Sequence, residues 1–180
     1  MKNIILMGIK HSGKSTIGRI LSEQFGYRFM DLDDLVLAES GGQFASVREM
    51  IEQEGRENFK LKETNAARNF YKQAKIEKDP VVLALGGGTM ENSDTLSRLK
   101  EIALLIFIDV PERMLFDRIM KGGKPYFLSA DNPLGDFQKL YHFRKEICLR
   151  HADIIVNGAE KTADIIAKEI GELVRSLYGR

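Results

Sequence analysis

The residues best suited to chemistry lie near the start of the chain. Gly8-Ile9-Lys10-His11-Ser12-Gly13-Lys14-Ser15 satisfies the spacing G-x-x-x-x-G-K-[ST] in full, after an apolar run (Ile4 to Met7) and before a helical pattern (Lys14 to Phe25) stopped by Gly26. Such a loop holds polyphosphate. Its glycines let the chain wrap closely, its backbone N–H groups converge on a β-phosphate, and the positive end of the next helix adds to the field. Lys14 is suited to neutralise β- and γ-oxygens, and the Ser15 hydroxyl to ligate Mg2+. Gly8, Ser12, Gly13 and Thr16 complete the expected nucleotide site, with ATP and Mg2+ as the expected cofactors. His11 is not required by the pattern and reads either as a base or as an exposed loop histidine.

Two more groups stand at the ends of apolar runs. The weaker run Tyr27 to Met30 leads into Asp31, Asp33 and Asp34, which lie beside the phosphate loop if this strand neighbours the first. Alternation along an extended segment puts Asp31 and Asp33 on one face. Asp31 is then assigned to the metal and Asp33 to the attacking hydroxyl, which it orients and whose proton it accepts. Asp34 reads as a helix cap facing away. The run Val81 to Leu85 enters Gly86-Gly87-Gly88, where missing side chains give a ligand access to backbone amides.

The apolar runs Ile4 to Met7, Val81 to Leu85, Leu104 to Ile108 and Ile154 to Val156 are continuous rather than alternating. Both faces of such strands are covered, which predicts a parallel sheet between helices. Helical spacing predicts Ser46 to Lys72 as two helices broken at Gly55, then Pro111 to Met120, Asp136 to His151 and Thr162 to Tyr178. The irregular stretch Lys121 to Gly135 has the length of an active-site lid. The expected fold class is α/β, a three-layer α/β/α sandwich with a five-stranded parallel sheet, right-handed crossovers and one domain over residues 1–180. Ligands of such folds bind at the carboxyl ends of the strands, where every motif above falls.

Composition narrows the function. The 27 basic and 26 acidic residues leave a net charge of +1, with no field of the kind that draws nucleic acid or an anionic membrane. The one cysteine, Cys148, has no internal partner and lies in an apolar helical pattern, where a packing role is expected. No apolar run reaches the roughly 18 residues that span a bilayer, and the N-terminus lacks a signal-peptide pattern. A cytoplasmic protein acting on small molecules is expected. A GTP switch is disfavoured by the absence of D-x-x-G and N-K-x-D elements.

Over nearly its whole length the chain resembles the shikimate kinase family of P-loop small-molecule kinases. Phe29-Met30-Asp31-Leu32-Asp33 is similar to the family's F-x-D-x-D segment, Leu85-Gly86-Gly87-Gly88 to its L-G-G-G run, and Glu54 to Glu63 to its E-G-E-x-x-F-R-x-x-E helix. The resemblance implies ATP-dependent phosphorylation of shikimate to shikimate 3-phosphate. It places Asp31 near magnesium, Asp33 on the substrate hydroxyls, Gly87 against the substrate and Arg144 on its carboxylate. Arg118 corresponds to a residue that stacks on adenine, with Asn157 and Gly158 as the opposite wall. A monomer is the family expectation. Two departures stand out: Lys60 replaces the carboxylate-binding arginine, and Lys124-Pro125-Tyr126 replaces R-P-L in the lid. Both keep charge but lose a bidentate fork, so Lys124 is expected to stabilise the transferring phosphoryl while recognition at Lys60 changes. The alternatives are a kinase for another hydroxy acid, for gluconate or for a nucleotide, and an ATP-binding regulatory module of weakened catalysis.

Overall fold

Side-chain alternation along β1 (Asn3–Met7) shows why the continuous apolar runs become central strands. Ile4 and Leu6 enter one core with Ile17, Leu21, Ile106 and Ile170. Ile5 and Met7 enter a second core on the other face with Leu32, Met50, Phe70, Leu99 and Phe107. Burying each such side chain stabilises the fold by about 1.5–3 kcal/mol, so neither face can be left bare. The computed structural model describes residues 2–123, 125 and 128–179.

Around β1 the chain runs through α1 (Lys14–Phe25), β2 (Arg28–Asp31), α2 (Leu32–Glu39), α3 (Val47–Glu54), α4 (Arg56–Ala74), β3 (Val81–Ala84), α5 (Ser93–Ile102), β4 (Ala103–Asp109), α6 (Glu112–Lys121), α7 (Pro133–His151), β5 (Ile154–Asn157) and α8 (Ala163–Tyr178), with a 3-10 turn at Thr89–Glu91 after the triple glycine. The sheet has five strands in the order β2-β3-β1-β4-β5, and all pairings are parallel. The expected sandwich is therefore the observed one. Gly55, at φ 87°, separates α3 from α4 as its position in the sequence predicts. On the edge strand β5, Ile155 is half exposed, because one neighbour is missing there.

Three sequence expectations are corrected. β2 does not neighbour β1, since β3 lies between them; the helix α1 bridges the gap. Asp33 is not on an extended segment, because α2 begins at Leu32 and Asp31 is its N-cap, accepting from Asp33 N at 3.1 Å. The two carboxylates meet through a capping turn rather than through strand alternation. The irregular stretch is also shorter than 121–135, as α6 runs on through Lys121 and α7 starts at Pro133, capped by Asn132.

Candidate active site

The phosphate loop is built as its residue types require. Gly13 has φ 90°, a conformation that costs other residues energy and glycine almost none, and it releases the chain into α1. Lys14 is folded back over the loop, donating to Gly8 O at 2.8 Å and Ile9 O at 3.2 Å, with Ser12 Oγ at 3.5 Å. Burial pushes its ammonium down to about 8, and the carboxylates of Asp33 and Asp31 pull it back only in part. This is a cation waiting for stronger partners. His11 is exposed at the rim with φ 65°. Partial burial, then Lys10, Lys14 and Arg118, hold its pKa below the usual value, which favours the neutral imidazole.

Ser15 Oγ donates to Asp31 Oδ2 at 2.6 Å. A hydroxyl and a carboxylate held together at a phosphate loop suit magnesium, which keeps most of its water and takes few protein ligands. Among the described residues no group of three or more His, Cys, Asp or Glu side chains is arranged to hold a metal, and such a cage is not what this ion needs. Asp33 lies deeper. Its carboxyl is raised above the ordinary range by burial and by Asp31, with Lys14 opposing, which suits a group that must accept a proton.

Glu63 on α4 is 3% exposed and accepts from Thr89 Oγ1 at 2.5 Å. Burial lifts its carboxyl to about 7, against the Thr89 hydrogen bond. A Cβ on Gly86 would collide with Glu63 Oε1 and stand 2.8 Å from Asp33 Oδ1, so the glycine is what lets both acids face the same space. Arg144 on α7 donates to Glu91 Oε1 from Nε at 3.1 Å and from Nη2 at 2.6 Å, and Lys60 Nζ is 3.4 Å from Glu91 Oε2. Burial alone would raise Glu91, but Arg144 and then Lys60 hold it below its usual value.

One cleft of about 600 Å³ joins these groups. Of the residues singled out in the sequence, Gly13, Lys14, Ser15, Thr16, Asp31, Asp33, Lys60, Gly86, Gly87, Gly88 and Arg144 line it. Gly8 and Ser12, in the loop itself, serve as partners of Lys14. Arg118 and Asn157 do not line the cleft: Arg118 Nη1 donates to His11 O at 3.3 Å, and Asn157 Oδ1 accepts from Ala159 N at 2.8 Å. Lys124 lies outside the described residues. Cys148 is fully buried, with its thiol pushed up to about 12 by burial, so it packs and does not react.

Sequence reasoning missed Glu63, Thr89, Glu91 and Arg56 as members of the site. Glu63 carried a signal: it falls on the helix face shared with Phe59, Ala66 and Phe70, where a charge is out of place unless it has a task. Thr89 and Glu91 carried none, since the turn that delivers them has no helical or strand period.

The arrangement joins a phosphate cradle, an acid pair and the cations Lys60 and Arg144 in one cleft. A sequence profile of shikimate kinase matches residues 10–175. The chain belongs to the shikimate kinase family. Relatives include the shikimate kinases of Sulfurihydrogenibium sp. strain YO3AOP1, 29% identical across 94% of this chain and 96% of that one, and of Wigglesworthia glossinidia brevipalpis, 31% identical across 94% of each. The structure of an Acinetobacter baumannii shikimate kinase in complex with shikimate superposes with a TM-score of 0.85 at 25% identity, covering 98% of this chain and 94% of that one. A Sinorhizobium meliloti gluconokinase, with a TM-score of 0.57 and 18% identity, shares the fold alone. As a shikimate kinase family member, the chain is a phosphotransferase that acts on a hydroxyl group with ATP as donor. Among the described residues no helix is long and apolar enough to cross a membrane.

Proposed function

We propose that this kinase transfers the γ-phosphoryl group of ATP to a hydroxyl of shikimate, giving shikimate 3-phosphate and ADP. The observation that carries this reading is that one cleft gathers Lys14 and Ser15 of the phosphate loop with Asp33, Lys60 and Arg144. A hydroxy acid that anchors its carboxylate on Lys60 and Arg144 presents a ring hydroxyl to Asp33, the geometry needed for attack on a phosphorus held by the loop. The relative solved with shikimate supports the choice of acid.

In this scheme the hydroxyl oxygen forms the new bond to the γ-phosphorus as the bond to the β-γ bridging oxygen breaks, and the hydroxyl proton passes to Asp33. Lys14 leaves the carbonyls of Gly8 and Ile9 for phosphate oxygens, and Lys124 brings a second cation from the segment between α6 and α7. Magnesium, held by Ser15 and Asp31, supplies charge neutralisation when bound. Arg118 and Asn157 flank the nucleotide base. The substrate is a small molecule, and the chain acts as a single-domain monomer in the cytoplasm.

Coupled ADP release tests the assignment, with shikimate, gluconate and a nucleoside monophosphate offered in turn. Shikimate-dependent release well above the ATP-only rate is expected. A preference for gluconate or a nucleotide would move the acceptor, and release independent of any acceptor would leave only an ATPase. Sedimentation at working concentration reads the assembly state.

A further inference from the structure

Glu91 belongs to neither the phosphate loop nor the acid pair, yet it engages both cations at the acceptor end. It sits on the turn Thr89–Glu91, directly after the triple glycine. Its Oε1 takes two hydrogen bonds from Arg144, through Nε and Nη2, while its Oε2 faces Lys60 at 3.4 Å. Arg144 is 8% exposed. Its remaining nitrogen, Nη1, lies 3.4 Å from where a Cβ on Gly87 would stand, on the cleft side. Glu91 therefore occupies the side edge of the guanidinium and leaves the end fork to a ligand.

We infer that Glu91 is a positioning and specificity residue that aligns Arg144 with Lys60 and lowers the charge of this subsite from +2 to +1, fitting it to a singly charged carboxylate and against a doubly charged phosphate or phosphonate. This rests on the reading that Lys60 and Arg144 hold the acceptor's acid group. The physical basis is simple. Two unopposed cations attract a dianion about twice as strongly as a monoanion at equal distance, and a fixed carboxylate between them takes back more from the dianion. A chain that must select an acid over phosphorylated compounds gains selectivity from a built-in negative charge. The pair also replaces part of what Lys60 lacks, because a lysine has no planar fork and needs a fixed neighbour to define where its ammonium points.

The test compares two probes, shikimate and its analogue with –PO3 in place of –CO2, at a pH where the phosphonate carries two charges. Their dissociation constants are measured by calorimetry on wild type, Glu91→Gln, Lys60→Gln and the double variant. Wild type is expected to favour shikimate. Glu91→Gln should shift the ratio of the two constants about tenfold towards the phosphonate, Lys60→Gln should shift it the other way, and the double variant, again at +1, should return near the wild-type ratio. A purely structural role would weaken both probes alike, so a ratio unmoved within twofold overturns the inference. Arg56 and Glu63 also border the cleft but are common to all four proteins. If Glu91→Gln does not fold, the double variant against Lys60→Gln reads the same charge. Turnover of shikimate with an unmoved ratio removes the charge inference alone, whereas failure of wild type to bind either probe removes the acceptor reading and this inference with it.

Discussion

Ser15 Oγ and Asp31 Oδ2 are joined by a 2.6 Å hydrogen bond although Ser15 opens the helix after β1 and Asp31 ends β2, two strands that are not neighbours, and the same carboxylate caps α2 by accepting from Asp33 N. Asp31 thus links the proposed magnesium position to the acid beside it. Asn caps a helix as well as Asp does, so Asp31→Asn should keep stability within about 0.5 kcal/mol while Asp31→Ala loses about 1 kcal/mol. Both should raise the magnesium concentration needed for half-maximal turnover. Urea melts and a magnesium titration read the two effects separately, and an unchanged magnesium requirement in both variants would place the ion elsewhere.

Asp33 is half-buried, with its carboxyl raised by desolvation and by Asp31 while Lys14 opposes. Asp33→Asn should bind ATP with wild-type affinity and lose turnover by about 10²–10⁴-fold, the range for a removed proton acceptor. Near-normal turnover in this variant would take Asp33 out of the chemistry.

Lys14 is charged, buried and held by carbonyls, with a pKa lowered to about 8 from 10.5. The folded chain therefore binds fewer protons than the unfolded one between those values, so stability rises with pH across that window and the cost is fully present at neutral pH. The shift corresponds to about 3 kcal/mol. Lys14→Met should abolish ATP binding and yet raise the melting temperature of the ligand-free protein at pH 7, by roughly 2–4 °C for each kcal/mol recovered. A lower melting temperature would show that the lysine's hydrogen bonds outweigh its desolvation.

For Glu63 the sign is opposite. Its folded pKa of about 7 lies above the ordinary 4.5, so the folded chain holds more protons between the two, and stability falls as pH rises through that window. Above it the charged carboxylate costs about 3 kcal/mol. Glu63→Gln should melt higher than wild type at pH 8 and no differently at pH 4, a crossover that melting curves at the two values would reveal or refute.

The five strands, most of the helices, the phosphate loop and the acids after β2 were legible in the sequence because each is a local property. Buried strands show as continuous apolar runs, a loop that must wrap phosphate shows as fixed glycines, and a break such as Gly55 shows as one residue of special backbone freedom. α5 is faint in the sequence although Leu96, Leu99 and Ile102 have helical spacing and Asn92 caps it, accepting from Thr95 N at 3.1 Å; ten residues give a weak period. α2 was hidden because its first turn is the acid cluster itself, read as the end of a strand.

What the chain alone determined is the chemistry at the donor end, since Gly8 through Ser15 are contiguous and their backbone makes the site. The proposed acceptor site was decided by tertiary structure. Lys60 on α4, Arg144 on α7 and Glu91 on the turn after β3 are far apart in sequence, and only the strand order β2-β3-β1-β4-β5 with its helices brings them within hydrogen-bond reach. Charge pairing between distant segments leaves no periodic trace, because it depends on where packing of the two apolar cores sets the helices down.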